Sequence, residues 1–214
     1  MATGSPGAFV VVEGPEGAGK TSLVRWLVAR LRDEGRMVLA VREPGGTPVA
    51  EAARKLALES RHEMSDAAEL FLILAARADL VARVVRPALE EGRLVLADRF
   101  DLSTLCYQVA GRGLNRNDVE AALRLATGGL APDLQLVLDV TVAVGRERQR
   151  IAGKSQDRFE REDDGFHERV RRAYADARGP GIVHLDATQP PDKVQAAAWR
   201  EIAAATALTT RGVT

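Results

Sequence analysis

Residues 13–22, EGPEGAGKTS, carry the most explicit chemistry in the sequence. Gly14, Gly19, Lys20 and Thr21 stand at the spacing G-x-x-x-x-G-K-[ST]. In that pattern the N–H groups of a glycine-rich turn cradle phosphates, the lysine bridges the β and γ groups, and the hydroxyl meets Mg²⁺. The whole loop, Gly14, Pro15, Glu16, Gly17, Ala18, Gly19, Lys20, Thr21 and Ser22, is therefore the expected seat of a nucleoside triphosphate. A second cluster closes LVLADR, residues 94–99. Asp98 ends an apolar run, where an acid suits a metal role, and Arg99 places a cation where a second phosphate would be held. The plain alternatives are a glycine-rich turn before an ordinary helix and a surface ion pair for Arg99. No guanine-reading N-K-x-D segment occurs. The loop predicts a triphosphate; it does not say where the terminal phosphate goes.

These residues need a frame. Five short β-rich apolar runs, at 8–14, 37–43, 93–99, 134–140 and 181–187, alternate with stretches rich in Ala, Leu, Arg and Glu at helical spacing. Near-continuous apolar strands between helices predict an α/β fold, a five-stranded parallel sheet with helices on both faces. In such sheets ligands gather beyond the carboxyl ends of the strands. Four of the five runs end there in charge: Glu13, Arg42-Glu43, Asp98-Arg99 and Asp139. The phosphate loop follows the first run and opens a helix expected to reach about Glu34, the context its motif requires.

At 214 residues the chain reads as one domain, residues 1–214, with residues 1–7 as a frayed tail. Hydrophobic residues are 46% and charged residues 28%, ordinary for a soluble globular protein. Lys plus Arg and Asp plus Glu are both 30, so no broad field attracts nucleic acid or an anionic membrane. Phosphate recognition falls to individual arginines. Cys106 is the one cysteine, which excludes an intrachain disulfide and suits a reducing cytoplasm. Neither a signal peptide nor a membrane-spanning run is expected.

Six segments stand in an informative order: EGPEGAGKT at 13–21, REPGGT at 42–47, FLILAAR at 71–77, DRFDLSTLCYQVAGRG at 98–113, PDLQLVLDV at 132–140 and QDRFERE at 156–162. Over nearly its whole length the chain resembles the thymidylate kinases, and most closely the bacterial branch whose phosphate loop lacks arginine. The resemblance implies a P-loop NTPase fold with a mobile lid. It implies phosphoryl transfer from ATP to dTMP with Mg²⁺, in dTTP synthesis, by a homodimer packed through helices that include AELFLILAARADLVARVV. Residue by residue, it implies Glu16 near the acceptor's sugar and phosphate, Arg99 on that phosphate, and Phe71 and Arg77 facing thymine. Phe71 would stack and Arg77 would donate to O4. Ser103, Thr104 and Gln108 would lie near the base, Tyr107 against the deoxyribose, and Arg42 and Pro44 along the acceptor site. Arg42 serves phosphate or structure equally well, and pattern alone would make Phe71 core. Phe100 stands where Tyr or His is usual, and Val109 and Ala110 where glycines are common. The competing readings are another P-loop nucleoside monophosphate kinase and a nucleotide-switch protein. A switch needs no second pocket of the kind Arg77, Arg99 and Tyr107 would form.

Phosphoryl transfer develops charge that a well-placed cation stabilises. Some thymidylate kinases supply it from the position of Gly17, which cannot do so here. The expected source is a lid at about 150–162. RERQRIAGKSQDRFERED, residues 146–163, offers Gly153 as a hinge and Arg150, Lys154, Arg158 and Arg161 as cations. Arg158 matches the family position best, with Arg150 second. On spacing alone a solvated helix with Asp157–Arg161 and Arg158–Glu162 pairs serves as well. The implied catalytic set is Lys20, Glu16, Arg99 and Arg158, with Thr21 and Asp98 at the metal.

Overall fold

Valine- and leucine-rich runs form strands where both faces of the pleat can be covered, and each of the five apolar runs contains one. The computed structural model describes residues 7–59, 63–153 and 157–210, with side chains to residue 206. Most of the expected tail, and Lys154, Ser155 and Gln156 of the expected lid, lie outside these residues. The strands are β1 (Phe9–Glu13), β2 (Val38–Arg42), β3 (Leu94–Asp98), β4 (Leu134–Asp139) and β5 (Ile182–Asp186). They pair in parallel in the order β2-β3-β1-β4-β5. Every residue of central β1 is buried, whereas edge strand β2 is partly open along its length. Asp98 lies in register with both Val12 and Arg42, and Asp139 with Asp186, so the charged strand ends share one edge of the sheet.

The connecting helices are α1 (Lys20–Asp33), α2 (Pro48–Arg54), α3 (Asp66–Leu80), α4 (Arg86–Glu90), α5 (Asp101–Thr104), α6 (Arg116–Thr127), α7 (Val142–Ala152), α8 (Asp164–Ala175) and α9 (Pro191–Thr210). Thr47, Ser65, Thr141 and Asp163 each cap a helix by accepting from the backbone N–H three residues on. On one face of the sheet Leu23, Leu27 and Leu31 of α1 and Ile202 of α9 cover Val10, Val12, Leu96 and Leu136. On the other, Leu80 and Val85 cover Phe9, Val11 and Val95, while Val170 and Tyr174 of α8 reach Val137 of β4. The expected α/β architecture, a P-loop fold with helices on both faces, is the observed one.

Beyond α5 the chain continues in wider, π-type turns from Leu105 to Gly111, which turn Cys106, Tyr107 and Gln108 inward together. Gly111 lets α8 close on this segment. A Cβ there would lie 2.6 and 3.0 Å from ring carbons of Phe166 and 3.2 Å from Val170. Gly111→Ala should destabilise the protein by about 1–3 kcal/mol, the usual penalty of overpacking. Denaturant midpoints would check this, and adding Phe166→Leu should recover part of the loss; equal losses with and without Phe166→Leu would mean that the ring is not the obstacle.

Candidate active site

Gly19 enters α1 in the left-handed region, φ 96°, so the loop from Gly14 turns back over the helix N-terminus. Lys20 is buried and its Nζ donates to the carbonyls of Gly14 and Pro15 at 2.9 and 2.7 Å. Burial and the neighbouring Arg99 guanidinium bring its ammonium down to about 8, against the pull of Glu16, Asp98 and Glu13. Thr21 Oγ1 donates to Asp98 Oδ2 at 2.7 Å, so the two expected metal residues meet. Mg²⁺ at phosphate sites takes one or two protein oxygens and fills its shell with phosphate and water, and this pair fits that demand.

Arg99 is the junction of the site. It follows β3 with φ 75°, a conformation rare outside glycine that the contacts around it must hold. One guanidinium nitrogen donates to Gly14 O, Ser103 Oγ and Tyr174 OH, each at 3.2 Å. The other donates to Glu16 Oε1 at 2.5 Å and Tyr107 OH at 3.2 Å. Tyr107 in turn donates to Glu16 at 2.8 Å. Burial alone would raise the Glu16 carboxyl, but Arg99, Lys20 and the Tyr107 hydroxyl hold it down at about 2. Beneath Arg99 lies Glu13, fully buried at the end of β1. It accepts from the Phe100 and Ser103 amides at 2.8 and 3.2 Å, from Ser103 Oγ at 2.6 Å and from Tyr174 OH at 3.1 Å.

Arg77 is buried on α3 and fixed on every side. Its Nε meets Glu43 Oε2 at 2.5 Å, and its terminal nitrogens donate to Thr104 Oγ1 at 2.9 Å and Phe100 O at 2.8 Å. Its guanidinium lies 5.1 Å from the Phe100 ring centroid, so the aromatic at position 100 serves as a cation–π platform. Among the described residues Glu43 Oε1 has no hydrogen-bond partner, and burial pushes this carboxyl up to about 7 despite Arg77.

Phe71 is not beside Arg77. Six residues turn an α-helix by about 600°, about 120° short of two full turns, which sets the two on different flanks. Phe71 is 63% exposed, so it is not core, and it does not share a flank with Arg77 as the expected thymine pair would. The residue on the Arg77 flank is Ile73, one turn before it, buried with Leu102, Cys106 and Tyr107. Gln108 also points away from Arg99: its Nε2 donates to buried Glu69 at 3.2 Å. Arg42 donates to both carboxylate oxygens of Glu51 at 3.2 Å, a half-exposed structural pair, and Pro44 O accepts from Arg54 at 3.0 Å.

Within the expected lid, α7 ends at Gly153, whose φ of 62° caps the helix. Residues 157–162 form a turn, not the solvated helix that spacing alone allowed. The Arg158 amide donates to Leu58 O at 3.0 Å, and its guanidinium lies 3.3 Å from Glu69 and 3.4 Å from Met64 O. Arg112 holds the same segment, pairing with Glu69 at 2.8 Å and Glu162 at 2.6 Å. Phe159 packs against Tyr107, ring centroids 5.1 Å apart. Arg158 is thus held beside Leu58, Met64 and Glu69, next to the segment that carries Tyr107. Arg150 pairs with Glu147 at the surface, and Arg161 is exposed.

A sequence model of a family described as thymidylate kinase matches residues 12–198, which contain every site residue described above. The chain belongs to the thymidylate kinase family. Curated relatives named thymidylate kinase include one from Cereibacter sphaeroides, 48% identical over 208 residues, covering 94% of this chain and 96% of the relative. Another, from Deinococcus radiodurans, is 43% identical over 92% of this chain and 97% of its own length. A third, from Thermomicrobium roseum, is 46% identical over 91% and 93%.

This thymidylate kinase family member also uses residues that sequence reasoning passed over. Glu13 stood out only as a charged strand end. Tyr174 lies one helical turn beyond Val170 and two beyond Phe166, a core stripe that gave no sign of its hydroxyl's partners. Glu43, the partner of Arg77, was legible only as a charged strand end and as part of REPGG.

The Glu16 pairing makes a pH prediction. Its carboxyl lies at about 2 in the folded protein against an ordinary 4.5, so the ionised form stabilises the fold fully above 4.5. That contribution fades as pH falls from 4.5 toward 2. The stability advantage of the parent over Glu16→Gln, from denaturant unfolding, should therefore shrink across this interval. An advantage that stays constant through it would show that Glu16 acts by shape alone.

Proposed function

We propose that this chain phosphorylates dTMP to dTDP, in the supply of dTTP, with ATP as donor and Mg²⁺ at Thr21 and Asp98. Family membership supports the reaction. The observation that carries the residue assignment is Arg99, whose guanidinium joins the phosphate loop at Gly14 and Glu16 to the acceptor segment at Ser103 and Tyr107. A cation so placed holds the acceptor phosphate within reach of the donor, and a nucleotide switch has no use for it. Lys20 gives up two loop carbonyls for the β and γ phosphates. Mg²⁺ bound beside Thr21 would neutralise charge on those phosphates and align them. Arg77, oriented by Glu43 and Thr104, is the donor assigned to thymine O4, and Tyr107 is the wall assigned to the deoxyribose.

The unit is a single nucleoside monophosphate kinase domain whose lid spans about 150–162. Arg158 leaves Glu69 to meet the transferring group, and Arg112 remains to pair that carboxylate. The active form is a homodimer, with Ala67, Phe71 and Ala75, exposed at one-turn intervals on α3, as part of the apolar face for a second copy. The cytoplasm is the proposed compartment, and Cys106, buried and unpaired, is compatible with it.

Turnover of a panel of monophosphates with ATP tests this reading. A ribose 2′-OH forced against Tyr107 would be buried without a partner, at about 1–3 kcal/mol. The thymine methyl is worth about 1 kcal/mol, so dUMP should be a poor but detectable substrate. Arg77 would face the cytosine amino group donor to donor, so dCMP and AMP should stay near background. Efficient AMP or CMP turnover with dTMP inert would assign the chain to another acceptor. Two variants locate the catalytic groups. Lys20→Ala should abolish turnover in a folded protein. Arg158→Ala should lower kcat about 10²-fold or more with little change in either KM, because its contribution is confined to the transition state. An unchanged kcat would transfer the role to Arg150 or Arg161.

A further inference from the structure

The first turn of α7 rests on the phosphate loop where two glycines meet. A Cβ on Gly17 would stand 2.1 Å from the Gly145 carbonyl oxygen and 2.6 Å from its Cα. A Cβ on Gly145 would stand 2.4 Å from the Glu16 carbonyl oxygen. All three distances are below 3.0 Å, and the obstructing atoms are backbone, so no rotamer relieves either clash. Gly19 differs: it too has positive φ, but nothing lies within 4 Å of its Cβ position.

Nor is α7 free to back away. The Gly145 amide donates to Thr141 O at 3.0 Å, Thr141 caps the helix, and Arg148 donates to Ala187 O at the end of β5 at 2.8 Å. Arg146 pairs with Asp164 at the start of α8. A side chain at 145 would therefore displace the loop rather than the helix, and it would press on the peptide of Glu16, the residue paired with Arg99.

We propose that Gly145 is a positioning residue for the donor loop. Its contact with Gly17 sets the height of the loop over the sheet. The same contact leaves no room for an arginine at 17, so the transition-state cation must come from outside the phosphate loop. This inference rests on the loop being the donor site.

The test is Gly145→Ala, with Gly165→Ala in α8 as control, since a Cβ at 165 meets the ends of flexible side chains, Asp163 Oδ1 at 3.2 Å and Arg169 at 3.4 Å. Alanine is the better helix former, so without the contact Gly145→Ala should melt higher and keep its kinetics. With it, the KM for ATP should rise about tenfold or more in a protein of parental circular dichroism, since small misplacements in a site are costly. Gly165→Ala should stay within about twofold of the parent. A parental KM for ATP in Gly145→Ala would overturn the proposal, and so would recovery of Arg158→Ala turnover by Gly17→Arg. Should Gly145→Ala fail to fold, hydrogen exchange of the unmodified protein decides: ADP should slow the amides of 145–148 along with those of 17–21, and no slowing at 145–148 would overturn it. Absence of ATP-dependent dTMP phosphorylation by the unmodified protein would instead refute the functional reading.

Discussion

The ion pair between Arg99 and Glu16 is the constraint on which the cleft depends. Two opposite charges removed from water are stable only when their remaining hydrogen-bonding capacity is met, and here Gly14, Ser103, Tyr107 and Tyr174 meet it. Because those partners come from the loop, from the segment after β3 and from α8, the pair fixes the relative positions of three separate stretches of chain. A lysine could not replace Arg99: one ammonium lacks the forked donors that reach all of these oxygen atoms at once. The positive φ at Arg99 belongs to the same arrangement, since it aims the side chain back across the end of β1.

Much of this was legible in the sequence. All five strands fall inside apolar runs, because a parallel sheet covered on both faces demands unbroken hydrophobic stretches and the helices between them do not. The meeting of Thr21 and Asp98 follows from strand order, since β3 lies next to β1 and its last residue stands beside the loop. Local pattern could not show what the buried carboxylates Glu13, Glu43 and Glu69 hold. Each is partnered from 34 or more residues away, and an acid in a sequence looks the same whether it faces water or an arginine.

Phe71 shows a different limit. The resemblance paired it with Arg77, but helical geometry sets it away from the Arg77 flank, where Ile73 stands instead. Residues 157–162 show another limit of spacing. Spacing permitted a charged helix, yet Asp157 and Glu160 turn the chain by side-chain hydrogen bonds to each other's amides, and tertiary pairing with Glu69 and Arg112 decides the rest.

The hydrogen bond from Tyr174 to Glu13 joins residues 161 positions apart, from the first strand to α8. A chain made from its N-terminus forms β1 early but leaves the Glu13 carboxylate without this partner until most of the sequence exists. Loop closure over such a distance delays the contact, since non-local contacts form slowly. Burial of Arg99 must wait for it as well. Appearance of a working cleft therefore reports that the last third of the chain has docked, so the ability to turn over substrate would serve as a clock for the final stage of folding, where helix content, formed locally, would not.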